Sequence, residues 1–324
     1  MQVQYYSSTR GAYTNDVYNS VWRVVDTVNS SDVLKIKFPT DHTEQRKIAE
    51  GFKAKSWVQF DNCVGAVDRM LVWMTAPSKK VLKETKVGVL KFFCGCKKKY
   101  GMNLQAICNY NRKFIDIEVR HPASTSDYLC FCTSDILKNK LLKDGFLAPG
   151  LAIYGNNVYI NTPFLVTPEK GVSTGPEDAY NFFQSQLRIN IECAFGMLVH
   201  RWGCLRKALP VNLSIEKVTA LVLCLCTLHN FCIDERGIII PASTAGDNCS
   251  ITTKGGMRVN NTGEKEFDNS TNCVSELLDG GEIRHDIETR NERRRYEQMV
   301  LPKHTMIEHV KSLGFTQRPM IIRT

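Results

Sequence analysis

The stretch Cys63–Met74 (Cys-Val-Gly-Ala-Val-Asp-Arg-Met-Leu-Val-Trp-Met) constrains this chain more than any other. It is apolar almost throughout, rich in β-branched and aromatic residues, and broken near its middle by one acid, Asp68. A run of this kind reads as a central strand buried on both faces. An unpaired carboxylate is expensive there. Asp68 therefore needs a salt bridge, a set of hydrogen-bond donors or a metal ion.

Around that strand the periodicities predict a mixed order of helices and strands. Asn15 opens a helix through Val17, Tyr18, Val21, Trp22, Val25 and Val28, with the residues before about 12 loose. Asp41 with Glu44 three residues on has the spacing of a capping box for a second short helix reaching Phe52. Met102–Cys108 and Lys113–Arg120 read as antiparallel strands joined by the turn Asn109–Arg112. A helix is expected from Asp127 through Leu142, and a short strand at Leu151–Gly155, halted by Asn156 and Asn157. A long amphipathic helix follows from Asp178 to Trp202, then a buried apolar one from Ile215 to Ile233. From Arg236 to Gly281 the composition turns to Gly, Ser, Thr and Asn, which predicts a disordered linker, and Ile283–Ser312 returns as a charged helix.

The balance of 42 Lys+Arg against 33 Asp+Glu, a formal charge of +9, leans towards a polyanionic partner. The 13 cysteines lack paired zinc-site spacing, so buried free thiols in a reducing compartment are expected. No secretory signal opens the chain, and its longest apolar stretch, Val218–Ile233, falls short of a bilayer span. These readings point to an intracellular, soluble protein without a membrane partner.

Three positions gather the candidate chemistry: Asp68 in its strand, Asn156 at the end of another, and Glu192 beside the apolar stripe of the long helix. Arg188 stands one turn before Glu192 and can pair with it at i, i+4. Gly196, one turn after, costs about 1 kcal/mol in a helix interior, which suggests close approach by a backbone or ligand.

Four segments stand in order: Phe60–Asp68, Leu104–Cys108, Tyr154–Tyr159 and Arg188–Gly196, followed by Leu228-His229-Asn230-Phe231. Together they resemble the PIF/Harbinger-type transposases and their domesticated nuclease relatives, the DDE superfamily endonucleases. The resemblance covers Asn15 to Glu235. It implies an RNase H-like α/β fold, a mixed sheet flanked by helices, and an Asp-Asp-Glu triad holding two divalent metals, Mg²⁺ or Mn²⁺. In-line phosphodiester cleavage uses two such ions about 3.5–4 Å apart, and hard cations take oxygen ligands. By the resemblance, the catalytic and metal-binding positions are Asp68, Asn156 and Glu192. Asn156 departs from the pattern, as does Arg69, where Gly is usual, and Asn109, where Asp is common. Asp127 and Asp61 are substitute ligands to consider.

The implied organisation is a shortened N-terminal helical segment (1–59), the nuclease domain (60–235), the linker (236–281) and a helical tail (282–324). DNA is the implied partner in the nucleus, with a separate DNA-binding protein to supply sequence recognition. Lys79-Lys80, Lys97-Lys98-Lys99, Arg201 and Arg206 are candidates for phosphate contact. Two functions stay open: a metal-dependent DNA endonuclease or strand-transfer domain impaired at Asn156, and a non-catalytic DNA- or protein-binding remnant.

Overall fold

The central strand recruits partners of both orientations. In the computed structural model, which describes residues 2–143, 145–210, 213–239, 290–291, 294–296, 299 and 301–319, β1 (Cys63–Trp73) lies between β3 (Lys99–Cys108) and β5 (Ala152–Tyr154). It pairs antiparallel with β3, with Asp68 opposite Ala106 and Trp73 opposite Gly101. A Cβ at Gly101 would come within 2.4 Å of the Val72 carbonyl, so this close crossing needs glycine. β5 runs parallel to β1, and β6 (Leu165–Val166) runs parallel to β5. On the other side, β4 (Phe114–Pro122) forms the expected hairpin with β3, and β2 (Phe93–Cys94) pairs with the start of β3. The result is the six-stranded, helix-flanked RNase H-like arrangement that the family resemblance implied.

Two hydrophobic cores fill the faces of this sheet. The first takes Val64 and Val67 from β1 with α2 (His42–Lys53) and α4 (Asp127–Thr133). The second takes Ala66 and Val72 with α6 (Ile215–Ile239). The long helix α5 (Gly175–Arg201) serves both: Tyr180, Phe183 and Leu187 lie in the first, Ile191, Ala194 and Leu198 in the second. It passes from one core to the other between Leu187 and Ile191, beside the middle of β1. The C-terminal α7 (Pro302–Ser312) buries Met306, Ile307 and Val310 in the first core. His309 Nε2 meets the Val58 carbonyl at 2.8 Å, and Lys303 pairs with Glu169 at 2.6 Å.

Several local expectations need adjusting. The first helix, α1, spans Gln2–Ser30, because once a helix is nucleated each added residue gains a hydrogen bond even without an apolar stripe. The helix expected from Asp127 to Leu142 breaks at Ser134, whose backbone is extended. Ser134 Oγ donates to the Phe131 carbonyl and accepts from Leu137 N–H, so one side chain ends α4 and starts a π-helical segment, Ile136–Leu141. Asp41 caps α2 as expected, its carboxylate accepting from Glu44 N–H at 3.2 Å. The stretch expected to fall short of a bilayer span lies in α6, which is long and apolar enough to cross one by length and composition; in this fold it packs against α1 and β4 with Val218, Val222, Cys226 and His229 buried. It continues to Ile239, past the boundary expected at Arg236. The polar linker beyond it lies outside the described residues. No described cysteine forms a disulfide.

Candidate active site

Asp68 and Asn156 meet because of strand register. Ala66 is level with Tyr154 on the parallel neighbour, so two residues on, Asn156 leaves β5 beside Asp68. Gly155 makes the turn possible, since a Cβ there would meet the Tyr159 ring at 2.9 Å. Gln184 on α5 donates to the Gly155 carbonyl at 2.9 Å. The Asn156 carboxamide is fixed at both ends. Its oxygen accepts from Val158 N–H at 2.9 Å, and its amino group donates to Asp68 Oδ1 at 3.1 Å.

Glu192 reaches the same place through Arg188. The Arg188 guanidinium donates to Asp68 Oδ2 at 3.4 Å and, through the same Nη1, to Glu192 Oε1. The i, i+4 pair expected on α5 is therefore half of a bridge joining the helix to the strand. Asp68 Oδ1 also accepts from Arg69 N–H at 2.8 Å. Burial pushes the Asp68 carboxyl up to about 6, as do Asp127 and Glu192 nearby, while the Arg69 N–H and the Arg188 guanidinium pull it down. Of the three compensations open to a buried Asp68, the folded chain supplies a salt bridge and donors.

The neighbouring candidates have other work. The Arg69 side chain leaves on the opposite face of β1 and pairs with Asp127, donating also to Asn103 Oδ1 and the carbonyls of Ala123 and Thr125. Asp127 is thus committed to Arg69 and is no spare ligand. Asp61 is exposed and faces Lys53 at 3.7 Å, remote in role from Asp68. Asn109 shapes the hairpin turn, its Oδ1 accepting from Asn111 and Lys113 N–H. A Cβ at Gly196 would meet nothing within 4 Å, so among the described residues no backbone makes the close approach expected there.

Both arginines expected to meet phosphate are used internally. Arg206 caps the end of α5 through the Val199 and His200 carbonyls. Arg201 donates to Nδ1 and the carbonyl of His229. Nδ1 accepts, so Nε2 carries the proton, which it shares with the Arg112 carbonyl at 3.0 Å. Burial pushes His229 down to about 4, in keeping with a neutral ring. Asn230 pairs with both backbone groups of Phe114, at 2.8 and 2.7 Å. The Leu228–Phe231 motif is therefore a splint between α6, α5 and the hairpin. The motif was picked out in the sequence, but this bracing role was not, although a polar pair in an apolar helix was the available signal.

The donor set does not fit two divalent cations as it stands. Asp68 and Glu192 share a guanidinium, and the Asn156 oxygen is already bonded to a backbone N–H. Among the described residues no group of three or more His, Cys, Asp or Glu side chains is placed to hold a metal.

Comparison with known proteins gives two matches. A family model described as DDE superfamily endonuclease matches residues 70–230. "Protein ALP1-like" of Arabidopsis thaliana is 23% identical over 238 residues, covering 70% of this chain and 55% of the relative. The chain thus spans about half the length of that curated relative. No solved structure matches.

Proposed function

We propose, from the chain's membership of the transposase-derived DDE superfamily endonucleases through residues 70–230, that it acts on DNA with a cleavage site impaired at its second acid. The observation that carries this reading is the Asn156 amide donating to Asp68, at the position where the family pattern has a carboxylate. In this reading Asp68, Asn156 and Glu192 are the remains of a site for Mg²⁺ or Mn²⁺, and the protein works on DNA in the nucleus. The charge argument is simple. Two ionised acids with Arg188 between them leave a net charge of −1, and Asp at 156 would make it −2. Fixed charge of this kind is usually the largest catalytic contribution, and one lost group costs about 10²–10³ in rate.

Calorimetric titration of Mn²⁺ into the wild type and Asn156→Asp, with nicking of supercoiled DNA alongside, tests the reading. Tighter metal binding and more nicking in the variant are expected. Equal affinities would remove position 156 from the ligand set. Tighter binding without nicking would favour the second reading, a non-catalytic DNA- or protein-binding remnant. The specific support for that alternative is Arg188, a fixed cation seated between the two acids.

A further inference from the structure

We infer that a lysine-rimmed cleft between α2 and the β3–β4 turn is a second site, binding a phosphate-bearing ligand of the nucleotide class. The cleft holds about 330 Å³, within the lower range of ligand pockets. Its rim carries Lys35 and Lys37 from the segment joining α1 to α2, Lys47 from α2 and Lys113 from the turn just before β4. A charge run in sequence is usually a solvated face. These four lysines come instead from three separate segments onto one concavity.

Among the described residues, Lys35, Lys37 and Lys47 form no ion pair, while Lys113 holds Asp234 at 2.7 Å. Glu44 is the only carboxylate in the described lining. Like charges gathered around a hollow create a potential that a polyanion relieves. Beneath the lysines the lining holds Ile48 and Ile115, both buried, and the partly exposed Tyr110 ring, edge-on to Phe52. A cationic rim beside one partly exposed aromatic ring, Tyr110, suits a ligand with phosphate at one end and a flat ring to stack at the other. Inorganic phosphate would use the rim alone.

The position relates this cleft to the acids. Asn109, in its wall and just past the end of β3, is three residues from Ala106, the partner of Asp68, which is about 10 Å of nearly extended chain. The ligand is either a free nucleotide or one unit of a single strand passing the Asp68 site. The second source rests on the reading that the chain acts on DNA.

Fluorescence anisotropy with a short labelled single-stranded oligonucleotide, and calorimetry with ATP and with inorganic tripolyphosphate, test the site on the whole chain. The variant is Lys35→Gln/Lys37→Gln/Lys47→Gln, whose three side chains are exposed. Lys47→Glu alone serves if the triple variant folds poorly. The oligonucleotide or ATP should bind the wild type more tightly than tripolyphosphate does, and the triple variant more weakly. For a strand, each lost phosphate contact lowers the slope of log affinity against log salt by about 0.7, so three contacts lower it by about 2. Oligonucleotide binding without ATP binding assigns the strand, and ATP binding at least as tight assigns the free nucleotide. No binding of either by the wild type would overturn the inference, as would unchanged binding by the variants or tripolyphosphate binding as tightly as ATP. The Asn156→Asp titration reads the Asp68 site alone, so either reading can fail while the other stands.

Discussion

Replacing Arg188 by Met would remove the internal cation and keep the aliphatic stem. Arg188 Nη1 stands 3.4 Å from Asp68 Oδ2, and both side chains are largely buried. At an effective dielectric of about 20 the gross attraction is about 5 kcal/mol, most of it replacing lost hydration. Removing one partner of a partly buried pair should therefore cost about 2 kcal/mol. At roughly 2–4 °C per kcal/mol for a large domain, the melting midpoint should fall by about 4–8 °C. Two acids would then be left without the cation that joins them, Asp68 keeping its bond from the Asn156 amide. A divalent ion becomes their natural partner, worth about 2.7 kcal/mol at a hundred times its Kd. Differential scanning fluorimetry at a pH of about 8, where Asp68 is ionised, with and without Mn²⁺, reads both effects. Mn²⁺ should raise the midpoint of Arg188→Met by several degrees and leave the wild type nearly unmoved. Equal metal shifts in the two proteins, or an unchanged midpoint without metal, would refute the reasoning.

Asp116 titrates at about 7 against an ordinary 3.8, chiefly because burial penalises its charge, with Lys140 opposing and Glu118 and Asp135 adding. The native state then holds more protons than the unfolded chain between those values, so this group's stabilising contribution is full below about 4 and lost as pH rises through about 7. Asp116→Asn should gain on the order of 2–4 kcal/mol at a pH of about 8 and nothing at about 4. Urea midpoints at the two pH values check this, and a variant no more stable at the higher pH would count against it. Asn230→Ala removes both side-chain bonds to the Phe114 backbone and should cost about 2–3 kcal/mol in denaturant unfolding. A loss under about 0.5 kcal/mol would mean that water replaces those bonds without penalty.

Features that depend on near neighbours were legible in the sequence. The β1 run, the β3–β4 hairpin and the Asp41 cap each follow from a few adjacent residues. The ordered motifs also brought Asp68, Asn156 and Glu192 into one neighbourhood, through family resemblance and not through spacing. What stayed hidden depends on where long side chains end. Arg188 reads as a helix-surface partner of Glu192, and only the crossing of α5 beside β1 turns it towards Asp68. Arg201 and Arg206 read as free cations, but the carbonyls at the end of α5 and the buried His229 claim them first. The lysine cleft was invisible because its rim is assembled from segments far apart in sequence.

The docking of α7 bears on how the chain is made. His309 contacts Val58 across 251 residues of sequence. At a synthesis rate of about 5–20 residues per second, the surface that receives α7 waits roughly 13–50 s for its occupant. For the part of that interval after Tyr180 has been made, Phe60 and Tyr180, packed together beneath the helix, form an open apolar socket on the emerging chain. Such a surface is what chaperones bind and what drives nascent chains to aggregate. A premature stop between the end of α6 at Ile239 and Pro302 would leave it open permanently, with every described strand of the sheet already present.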